Sequence, residues 1–323
     1  MIPSADDILD GSHVLSLPMR TRFRGITTRE VMVFRGPEGW GEFSPFTEYD
    51  DQESAAWLRA GIEAAWDGPP EPYRERVRVN ATIPAVPADE VPAILARYPG
   101  VDTAKVKVAE KGQSLDDDVA RVRAVRAVVP RVRVDANGGW TVDDAVAALN
   151  RLTEDGPLEY AEQPCATVAE LVEVRRRLPG VRVAADESIR RAEDPLRVVR
   201  AGGADVAVVK VAPLGGMRAL LELAGELGEY GVPVVVSSAL DSAVGMAAGL
   251  AAAAAIPRLE FACGLGTGSL FVDDVASVGE LVDGTLPARP VEPDPDRLRA
   301  LAAPAERRTW WHERVRRSLA LLR

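Results

Sequence analysis

The first part of the chain shows the pattern of antiparallel strands followed by a helix. Residues 30–35 (EVMVFR) are rich in strand-forming side chains, and a Gly-Pro-Glu-Gly turn signal joins them to a second short run at 40–43, which predicts a hairpin. Residues 50–66 have an acidic first turn and apolar residues at intervals of three to four, the spacing of an amphipathic helix. Residues 1–76 are therefore expected to form a small α+β module.

From residue 77 onward, short β-branched runs alternate with amphipathic segments. Eight runs predict strands, at residues 77–83, 104–108, 132–135, 158–161, 181–185, 206–211, 232–237 and 259–262. Seven segments predict helices, at residues 87–97, 115–128, 142–152, 168–177, 194–201, 217–230 and 242–254. This alternation is typical of parallel βαβ units, and eight regular units favour a closed (β/α) barrel over an open doubly wound sheet.

No eighth helix follows the eighth predicted strand. After residue 270 the chain becomes irregular and rich in proline, as at 286–296 (LPARPVEPDPD), and a last helix is predicted at 304–322. We therefore divide the chain into the N-terminal module at 1–76, a barrel with the active site at 77–270, and a C-terminal segment at 271–323 that returns to the N-terminal module.

Composition and charge narrow the classes of function. The chain has 323 residues, 47% of them apolar and 27% charged, which excludes disordered, collagen-like and coiled-coil proteins. The net charge of −10 argues against non-specific nucleic-acid binding, which depends on clustered Lys and Arg. Two cysteines, Cys165 and Cys263, are too few for a disulfide framework. The start of the chain has no basic and apolar leader, and the apolar stretch at 245–256 is too short to span a bilayer. We expect a cytoplasmic protein without a membrane span.

Histidine is scarce. His13 and His312 are the only two, and both lie near the ends of the chain. This argues against a Ser-His-Asp triad and against a histidine-rich zinc site. An enzyme with this sequence would use Lys, Asp and Glu as its acids and bases.

Carboxylates end three consecutive predicted strands, where a parallel barrel carries its catalysis. Asp135, Glu162 and Asp186 would converge at the mouth of the barrel. Three carboxylates this close repel one another unless a cation lies among them, and a hard divalent ion, Mg²⁺ best of all, suits an all-oxygen set. The alternative is that the two aspartates only begin βα loops, with Thr141 and Ser188 capping the helices that follow.

Three lysines also lie at strand ends. Lys105 and Lys107 are two residues apart, so they point to the same side of one strand. Because both faces of a barrel strand are covered and unpaired buried lysines are rare, we expect them to face the barrel mouth, with Lys210 across from them. Neighbouring ammonium groups and Mg²⁺ lower the pKa of a lysine towards that of a general base. The alternative for Lys210 is an ion pair with Asp205 or Glu187.

A metal with lysines on both sides suits one type of reaction. The metal binds a substrate carboxylate, a lysine removes the proton from the adjacent carbon, and the cations stabilise the enediolate. The glycine-rich run at 264–268 (GLGTG) does not match a dinucleotide-binding motif; its backbone either holds a substrate carboxylate or forms a plain turn. Ser237 and Ser238 either hydrogen-bond substrate or cap the next helix.

Six motifs occur in the order of a known family. They are GWGEFSP at 39–45, KVK at 105–107, DANGGW at 135–140, EQP at 162–164, ADES at 185–188 and VVK at 208–210. Together they resemble the muconate-lactonizing subgroup of the enolase superfamily over nearly the whole chain. Within it, SSALDSAVG at 237–245 and GLGTGSLF at 264–271 are most similar to the o-succinylbenzoate synthase family. The resemblance implies an α/β fold: a modified TIM barrel, (β/α)7β, with an α+β capping domain formed by the N-terminal segment and the C-terminal tail.

The same resemblance implies an activity. Family members are lyases (hydro-lyases) that use Mg²⁺, for which Mn²⁺ substitutes, to convert 2-succinyl-6-hydroxy-2,4-cyclohexadiene-1-carboxylate to o-succinylbenzoate. This is a syn dehydration in menaquinone biosynthesis, and superfamily sites of this kind pair a lysine base with Mg²⁺.

Residue roles follow from the resemblance as well. Lys107 would take the proton and then help hydroxide to leave, and Lys210 would stabilise the enediolate from the opposite face. The metal ligands would be Asp135, Glu162 and Asp186. Residues that support the metal site or contact substrate would be Lys105, Asn137, Glu187, Ser237, Ser238, Gly264 and Gly266.

Two features differ from, or add to, the family pattern. Gly138 stands where some family members have an arginine, so one polar contact to substrate is missing or supplied elsewhere. The arginine-rich loop at 19–28 (MRTRFRGITT) either helps to hold the dianionic substrate or is a solvated basic loop.

Two other classes of function stay open. An N-succinylamino acid racemase or dipeptide epimerase also needs two lysines on opposite faces, although GLGTG lacks the Asp-x-Asp that would bind the ammonium group of a dipeptide. The other class is a non-catalytic metal-binding barrel. In each case the expected ligand is a small carboxylate, with no nucleic-acid or membrane partner; the oligomeric state is open, with a monomer slightly favoured.

Overall fold

A computed structural model describes residues 2–190 and 194–323. The N-terminal elements are α1 (Ala5–Leu9), β1 (His13–Phe23), β2 (Ile26–Arg35), β3 (Trp40–Phe43) and α2 (Asp51–Trp66). The three strands form an antiparallel sheet in chain order. The predicted hairpin and the predicted helix are confirmed, and the side chain of Asp50 caps α2 by accepting from the Glu53 N–H.

The expectation of a loop at residues 19–28 is wrong. Its residues continue β1 and β2 as far as a two-residue turn at Arg24 and Gly25. Cross-strand pairing, such as that of Phe23 with Ile26, determines this conformation, whereas the arginines of the run suggested a loop, either holding substrate or solvated.

The remaining elements follow in alternation. They are β4 (Arg76–Arg78), β5 (Ala81–Ile83), a 3-10 turn at Ala88–Glu90, α3 (Val91–Leu95), β6 (Thr103–Lys107), α4 (Leu115–Arg126), β7 (Arg131–Asp135), α5 (Val142–Leu152), β8 (Ala161–Glu162), α6 (Val168–Arg177), β9 (Val183–Ala185), α7 (Glu187–Arg190), α8 (Arg197–Arg200), β10 (Val206–Val209), α9 (Val211–Leu214), α10 (Met217–Glu229), β11 (Val234–Val236), α11 (Ala243–Ala254), a 3-10 turn at Thr267–Leu270, β12 (Thr285–Pro287), α12 (Pro295–Ala300) and α13 (Ala305–Ala320).

Strands β5 to β11 lie side by side in chain order, and every neighbouring pair is parallel. The expected eighth strand at 259–262 is wrong in position, because the closing contacts come slightly later. The Cys263 N–H donates to the carbonyl of Arg78 at 2.7 Å, and the Gly264 N–H donates to that of Val236 at 2.8 Å. The sheet therefore closes into a barrel through a few bridges rather than through a regular strand.

Several other predicted strands are shorter or end earlier than expected: β5, β9 and β11 cover only parts of the runs at 77–83, 181–185 and 232–237, and β8 and β10 also differ. β8 overlaps the predicted run at 158–161 by one residue, although the Glu159 N–H already donates to Val132 at 2.8 Å. β10 ends at Val209 because Lys210 leads directly into the single turn of α9, and Gly215, the residue that caps this turn, has a left-handed φ of 86°.

The two largest hydrophobic clusters of the described residues hold the chain together. One fills the space between the barrel strands and their helices. The other joins both ends of the chain, since Leu15 and Trp57 pack in the same cluster as Trp311 and Leu319. We call β1–β3 with α1, α2, α12 and α13 the cap. The predicted last helix is confirmed as α13, while the expected division at 76/77 and 270/271 stays a prediction.

Within residues 2–190 and 194–323, no helix has the length and apolar character needed to cross a membrane.

Candidate active site

The carboxyl ends of the barrel strands bring most of the predicted side chains to one pocket beneath the cap. The pocket is lined by Phe23, Arg24, Thr82, Lys105, Lys107, Asp135, Asn137, Asp186, Glu187, Arg190, Lys210, Ser237, Ser238, Ala239, Leu240, Gly264 and Thr267. Glu162 lies outside this lining and is only 1% exposed. Gly266 also lies outside it, and a Cβ there would meet the carbonyl of Asn80 at 2.7 Å.

One side of the pocket is built by β6 and β7, which pair in register with Lys107 opposite Asp135. Lys107 Nζ donates to Asp135 Oδ2 at 2.7 Å and also to Asn137 Oδ1. Lys105 Nζ lies 3.1 Å from the same Asp135 oxygen and donates to Glu162 Oε1 at 2.6 Å. The two lysines therefore reach a shared carboxylate from one face of β6, as their spacing predicts.

The opposite side is built around Asp186. Lys210 Nζ donates to Asp186 Oδ2 at 2.6 Å, and Arg190 Nε donates to the other oxygen at 3.1 Å. Lys210 therefore pairs with Asp186 and not with either alternative partner: Asp205 is bound by Arg175, and Glu187 Oε1 accepts from Arg190 at 2.6 Å.

The alternative capping roles are only partly correct. Thr141 does cap α5, by accepting from the Asp144 N–H. Ser188 instead lies within α7, where its hydroxyl accepts from Gln163 Nε2 at 2.8 Å. Ser237 and Ser238 do not cap α11 either, because Ser242 does so.

The three carboxylates differ in pKa because their charged neighbours differ. Burial alone would raise the pKa of Asp135, but Lys105 and Lys107 hold it well below its usual range. Burial would also raise the pKa of Asp186, but the neighbouring cations, Lys210 first among them, together outweigh this effect, and the pKa is lowered. For Glu162, burial and the charge of Asp135 raise the pKa to about 7.

The expectation of lowered lysine pKa values is wrong for Lys105. Burial does lower its pKa, but the charges of Asp135 and Glu162 outweigh that effect, and the pKa is raised well above its usual value. Two carboxylates in direct contact stabilise an ammonium group more than its desolvation destabilises it.

The donor atoms of the site bear on whether it can hold a divalent cation. No group of three or more His, Cys, Asp or Glu side chains is arranged to hold a metal ion in the described part of the chain. Lys105 contacts both Asp135 and Glu162, and Lys210 contacts Asp186. Two buried oxygens, Glu162 Oε2 and Glu187 Oε2, nevertheless have no hydrogen-bond partner among the described residues. A buried carboxylate oxygen without a partner is costly, and an all-oxygen donor set is the one that hard cations prefer. The set therefore fits such an ion.

Asn137 connects the two sides of the site. Its side-chain oxygen accepts from Lys107, and its Nδ2 donates to Glu187 Oε1 at 3.2 Å. The residue has a left-handed φ of 47°, which asparagine tolerates better than most side chains. Gly138 follows with a φ of 74°, and its lack of a side chain leaves Arg24 and Arg190 as the arginines that line the pocket.

The serine and glycine candidates form the wall between β11 and the closing segment. Ser238 Oγ lies 2.5 Å from Thr267 Oγ1, and Ser237 Oγ donates to the carbonyl of Gly264 at 3.5 Å. A Cβ at Gly264 would collide with Ser237 Oγ, so the glycine allows this close approach without movement of the serine side chain.

Sequence reasoning missed Arg190. It joins Asp186 and Glu187 to the cap by donating from Nη1 to the Tyr49 hydroxyl at 3.2 Å. Its position four residues after a strand-end aspartate was the available signal, because residues i and i+4 share one face of a helical turn.

Comparison with known proteins fits this architecture. The model for the enolase N-terminal domain-like family matches residues 14–65, and that for the enolase C-terminal domain-like family matches residues 90–295. Among solved structures, the muconate lactonizing enzyme from Pseudomonas putida aligns with a TM-score of 0.75 at 19% identity, covering 90% of this chain and 98% of that one. An enolase from Mycobacterium smegmatis complexed with tartrate aligns with a TM-score of 0.77 at 20% identity, covering 90% and 89%. These structures establish the fold.

Curated relatives are much more similar. An o-succinylbenzoate synthase of Mycobacterium marinum is 62% identical over 325 residues, covering 100% of this chain and 98% of the relative. A protein of the same description from Mycolicibacterium smegmatis is 62% identical over 314 residues and covers 97% of each chain. With the matched domains and the modified barrel, the resemblance seen in the sequence motifs is confirmed: this chain belongs to the enolase superfamily and, within it, to the o-succinylbenzoate synthase family.

Proposed function

We propose that this protein catalyses the syn dehydration of 2-succinyl-6-hydroxy-2,4-cyclohexadiene-1-carboxylate to o-succinylbenzoate, with Mg²⁺ as its cofactor, as a step of menaquinone biosynthesis. Family membership supports the activity. The proposal includes a cytoplasmic location, where the buried free thiols of Cys165 and Cys263 would stay reduced.

The observation that carries the mechanism is the opposition of Lys107 and Lys210 across one pocket. Lys107 ends β6, and Lys210 follows β10. In the closed barrel, β7, β8 and β9 separate these strands on one side; β11, the closing segment and β5 separate them on the other. A flat substrate between them would meet an amine on each face.

Asp135, Glu162 and Asp186 would hold the metal ion in this proposal. When bound, Mg²⁺ would orient the substrate carboxylate and neutralise the charge that develops on it as the adjacent carbon loses its proton. Lys105, which contacts both Asp135 and Glu162, would keep two of these carboxylates in position.

Lys107 would perform both proton transfers. As a neutral amine, its Nζ takes the proton from C1, and the electron pair of that C–H bond passes into the conjugated system. The bond between C6 and its hydroxyl oxygen then breaks, and the new Lys107 ammonium group returns the proton to the departing hydroxide. The products are aromatic o-succinylbenzoate and one water, and a single base on one face accounts for syn stereochemistry.

Lys210 would remain protonated throughout. Its Nζ contacts Asp186 at 2.6 Å, in a site where the Lys210 side chain is only 10% exposed. A fixed cation in such a site stabilises the negative charge of the enediolate more than a solvated cation does.

The direct test follows the ultraviolet absorbance of the cyclohexadiene carboxylate with purified protein and Mg²⁺, against the same protein treated with chelator. We expect rapid aromatisation that stops on chelation and returns when Mg²⁺ is restored. A folded protein that binds Mg²⁺ but does not turn over this substrate would contradict the proposal.

The same opposition of lysines favours one other candidate, a racemase of N-succinylamino acids, because 1,1-proton transfer needs a base on each face. Incubation with an N-succinylamino acid in deuterium oxide separates the two readings. Rapid exchange at the α-carbon without turnover of the cyclohexadiene would identify the racemase, whereas aromatisation without exchange would identify a dedicated lyase.

A further inference from the structure

Residues 239–242 form one wall of the pocket and also the joint between barrel and cap. Ala239 and Leu240 line the pocket, and both also belong to the hydrophobic cluster of the cap. Leu240 has a φ of 61°, a left-handed conformation that is uncommon for a residue with a branched side chain. Neighbouring groups must hold such a backbone in place.

The cap supplies a cation to the carbonyls of this wall. Arg29 of β2 is 3% exposed, and its Nε donates to the Leu240 carbonyl at 3.2 Å. Its Nη2 donates to the Ala239 carbonyl at 3.4 Å and to the carbonyl of Ser44 within the cap. One buried guanidinium group thus ties both residues of the wall to the cap sheet.

The cap also supplies an anion to the amides that follow. Glu42 of β3 is 7% exposed, and its Oε2 accepts from the N–H groups of Ser242 at 3.0 Å and Gly245 at 3.1 Å. These N–H groups lie at the start of α11, where amides have no partner within the helix. The other Glu42 oxygen accepts from the Ser44 hydroxyl at 2.6 Å.

We propose that Arg29 and Glu42 are positioning residues: they fix the wall at 239–242, and with it Ser237 and Ser238, at one distance from the substrate. This inference rests on the proposed function for its kinetic consequences. Neither side chain lines the pocket, so each acts through the backbone of the wall.

The chemistry of the joint supports positioning over simple attachment. Burying two opposite charges stabilises a fold little compared with well-packed apolar groups of the same size. Apolar groups would therefore fasten the cap to the barrel equally well. Only directional hydrogen bonds to particular carbonyls and amides hold a backbone with positive φ in a single conformation.

The test is the kinetics of Arg29→Lys, which keeps the charge but cannot bind both carbonyls of the wall in the fork geometry of a guanidinium group. We expect KM to rise about tenfold, the effect of losing one charged hydrogen bond, while kcat changes less than about threefold because Lys107 and Lys210 are both untouched. The control is Arg74→Lys. Arg74 donates to carbonyls at the opposite end of α11 (Ala253, Ile256 and Pro257), outside the pocket. Its variant should lose stability and keep the wild-type KM.

A second variant covers the case in which Arg29→Lys does not fold. Glu42→Gln is close to isosteric, and we expect a rise in KM of about threefold. Faster amide hydrogen exchange at residues 237–245 should accompany it, since these amides report the wall directly. An unchanged KM in both variants, or equal KM changes in the Arg74 control, overturns the proposal.

The experiments distinguish failure of the positioning role from failure of the proposed function. If the wild-type protein does not turn over the cyclohexadiene carboxylate, the proposed function fails, and hydrogen exchange still decides whether Arg29 and Glu42 order the wall. Wild-type exchange rates at 237–245 in Glu42→Gln would then refute the positioning role.

Discussion

Replacement of Lys107 tests the mechanism most directly. In Lys107→Ala the group that takes the C1 proton and protonates the leaving hydroxide is lost. Each positioned proton transfer contributes on the order of 10²–10⁴ in rate, so two transfers predict a loss in kcat of at least about 10⁴-fold. This corresponds to about 5.5 kcal/mol in the activation barrier.

The structure indicates that the variant should still fold. Asp135 loses the hydrogen bond at 2.7 Å from Lys107 but keeps Lys105 at 3.1 Å, so it does not become an unpaired buried charge. We expect the free energy of unfolding to fall by about 1.5–3 kcal/mol, the contribution of one charged hydrogen bond. An orphaned buried ion would cost more, about 3–5 kcal/mol.

The assay is ultraviolet turnover with saturating Mg²⁺, combined with circular dichroism and Mg²⁺ titration calorimetry on the same samples. Lys107→Arg keeps a positive charge that cannot be removed near neutral pH, so it separates charge from base, and we expect it to be equally inactive. Lys111→Ala changes an exposed lysine of the following loop and should retain full activity. If either Lys107 variant kept more than about one per cent of wild-type turnover, the proton-transfer role would be refuted.

Three further predictions concern pH, packing and metal. Burial and the adjacent charge of Glu42 raise the pKa of Asp241 to about 7. The protonated Asp241 therefore contributes fully to stability below its unfolded pKa of about 3.9, and this contribution is lost as the pH rises to about 7. In urea unfolding, the free energy of unfolding of the wild type should fall by on the order of 2–4 kcal/mol relative to that of Asp241→Asn between about pH 4 and 7. The same pH dependence in both proteins would contradict this. Gly61→Ala should destabilise the protein by about 1–3 kcal/mol, because its Cβ would lie 2.5 Å from the Glu42 carbonyl; Gly225→Ala, in open space on α10, should instead stabilise it by about 0.5–1 kcal/mol in the same denaturation series. Saturating Mg²⁺ should raise the free energy of unfolding by about 2.7 kcal/mol at one hundred times its Kd, as thermal unfolding with and without chelator would detect, and Asp135→Asn should abolish most of that gain.

The sequence was sufficient to predict the barrel and the convergence at its mouth. Regular alternation of strand and helix patterns defines a parallel barrel, and the fold then brings every strand end to one rim. Lys105, Lys107, Asp135 and Asp186 could therefore be assigned to one pocket before any distance was known.

Contacts between distant segments account for what could not be predicted. β1 is a strand because β2 pairs with it, although its own residues include Pro18 and several polar side chains. The barrel closes at 263–264 rather than at 259–262 because those residues contact Arg78 and Val236. The pKa of Lys105 rises because Glu162, far away in sequence, approaches it. The spacing of residues in the sequence cannot show whether burial or nearby carboxylates will dominate the pKa of a lysine.

The core of the cap, which both ends of the chain share, affects the order in which parts of the protein fold during synthesis. From β5 to β11, each barrel strand pairs with its neighbour in sequence, so successive βα units can assemble while synthesis continues. The cap core needs Trp311 and Leu319 beside Leu15, contacts between opposite ends of the chain that form late. A nascent chain would therefore carry the strand-end charges of the barrel before the core of the cap, to which Leu240 belongs, is complete. Catalytic competence would arrive only with the last helix.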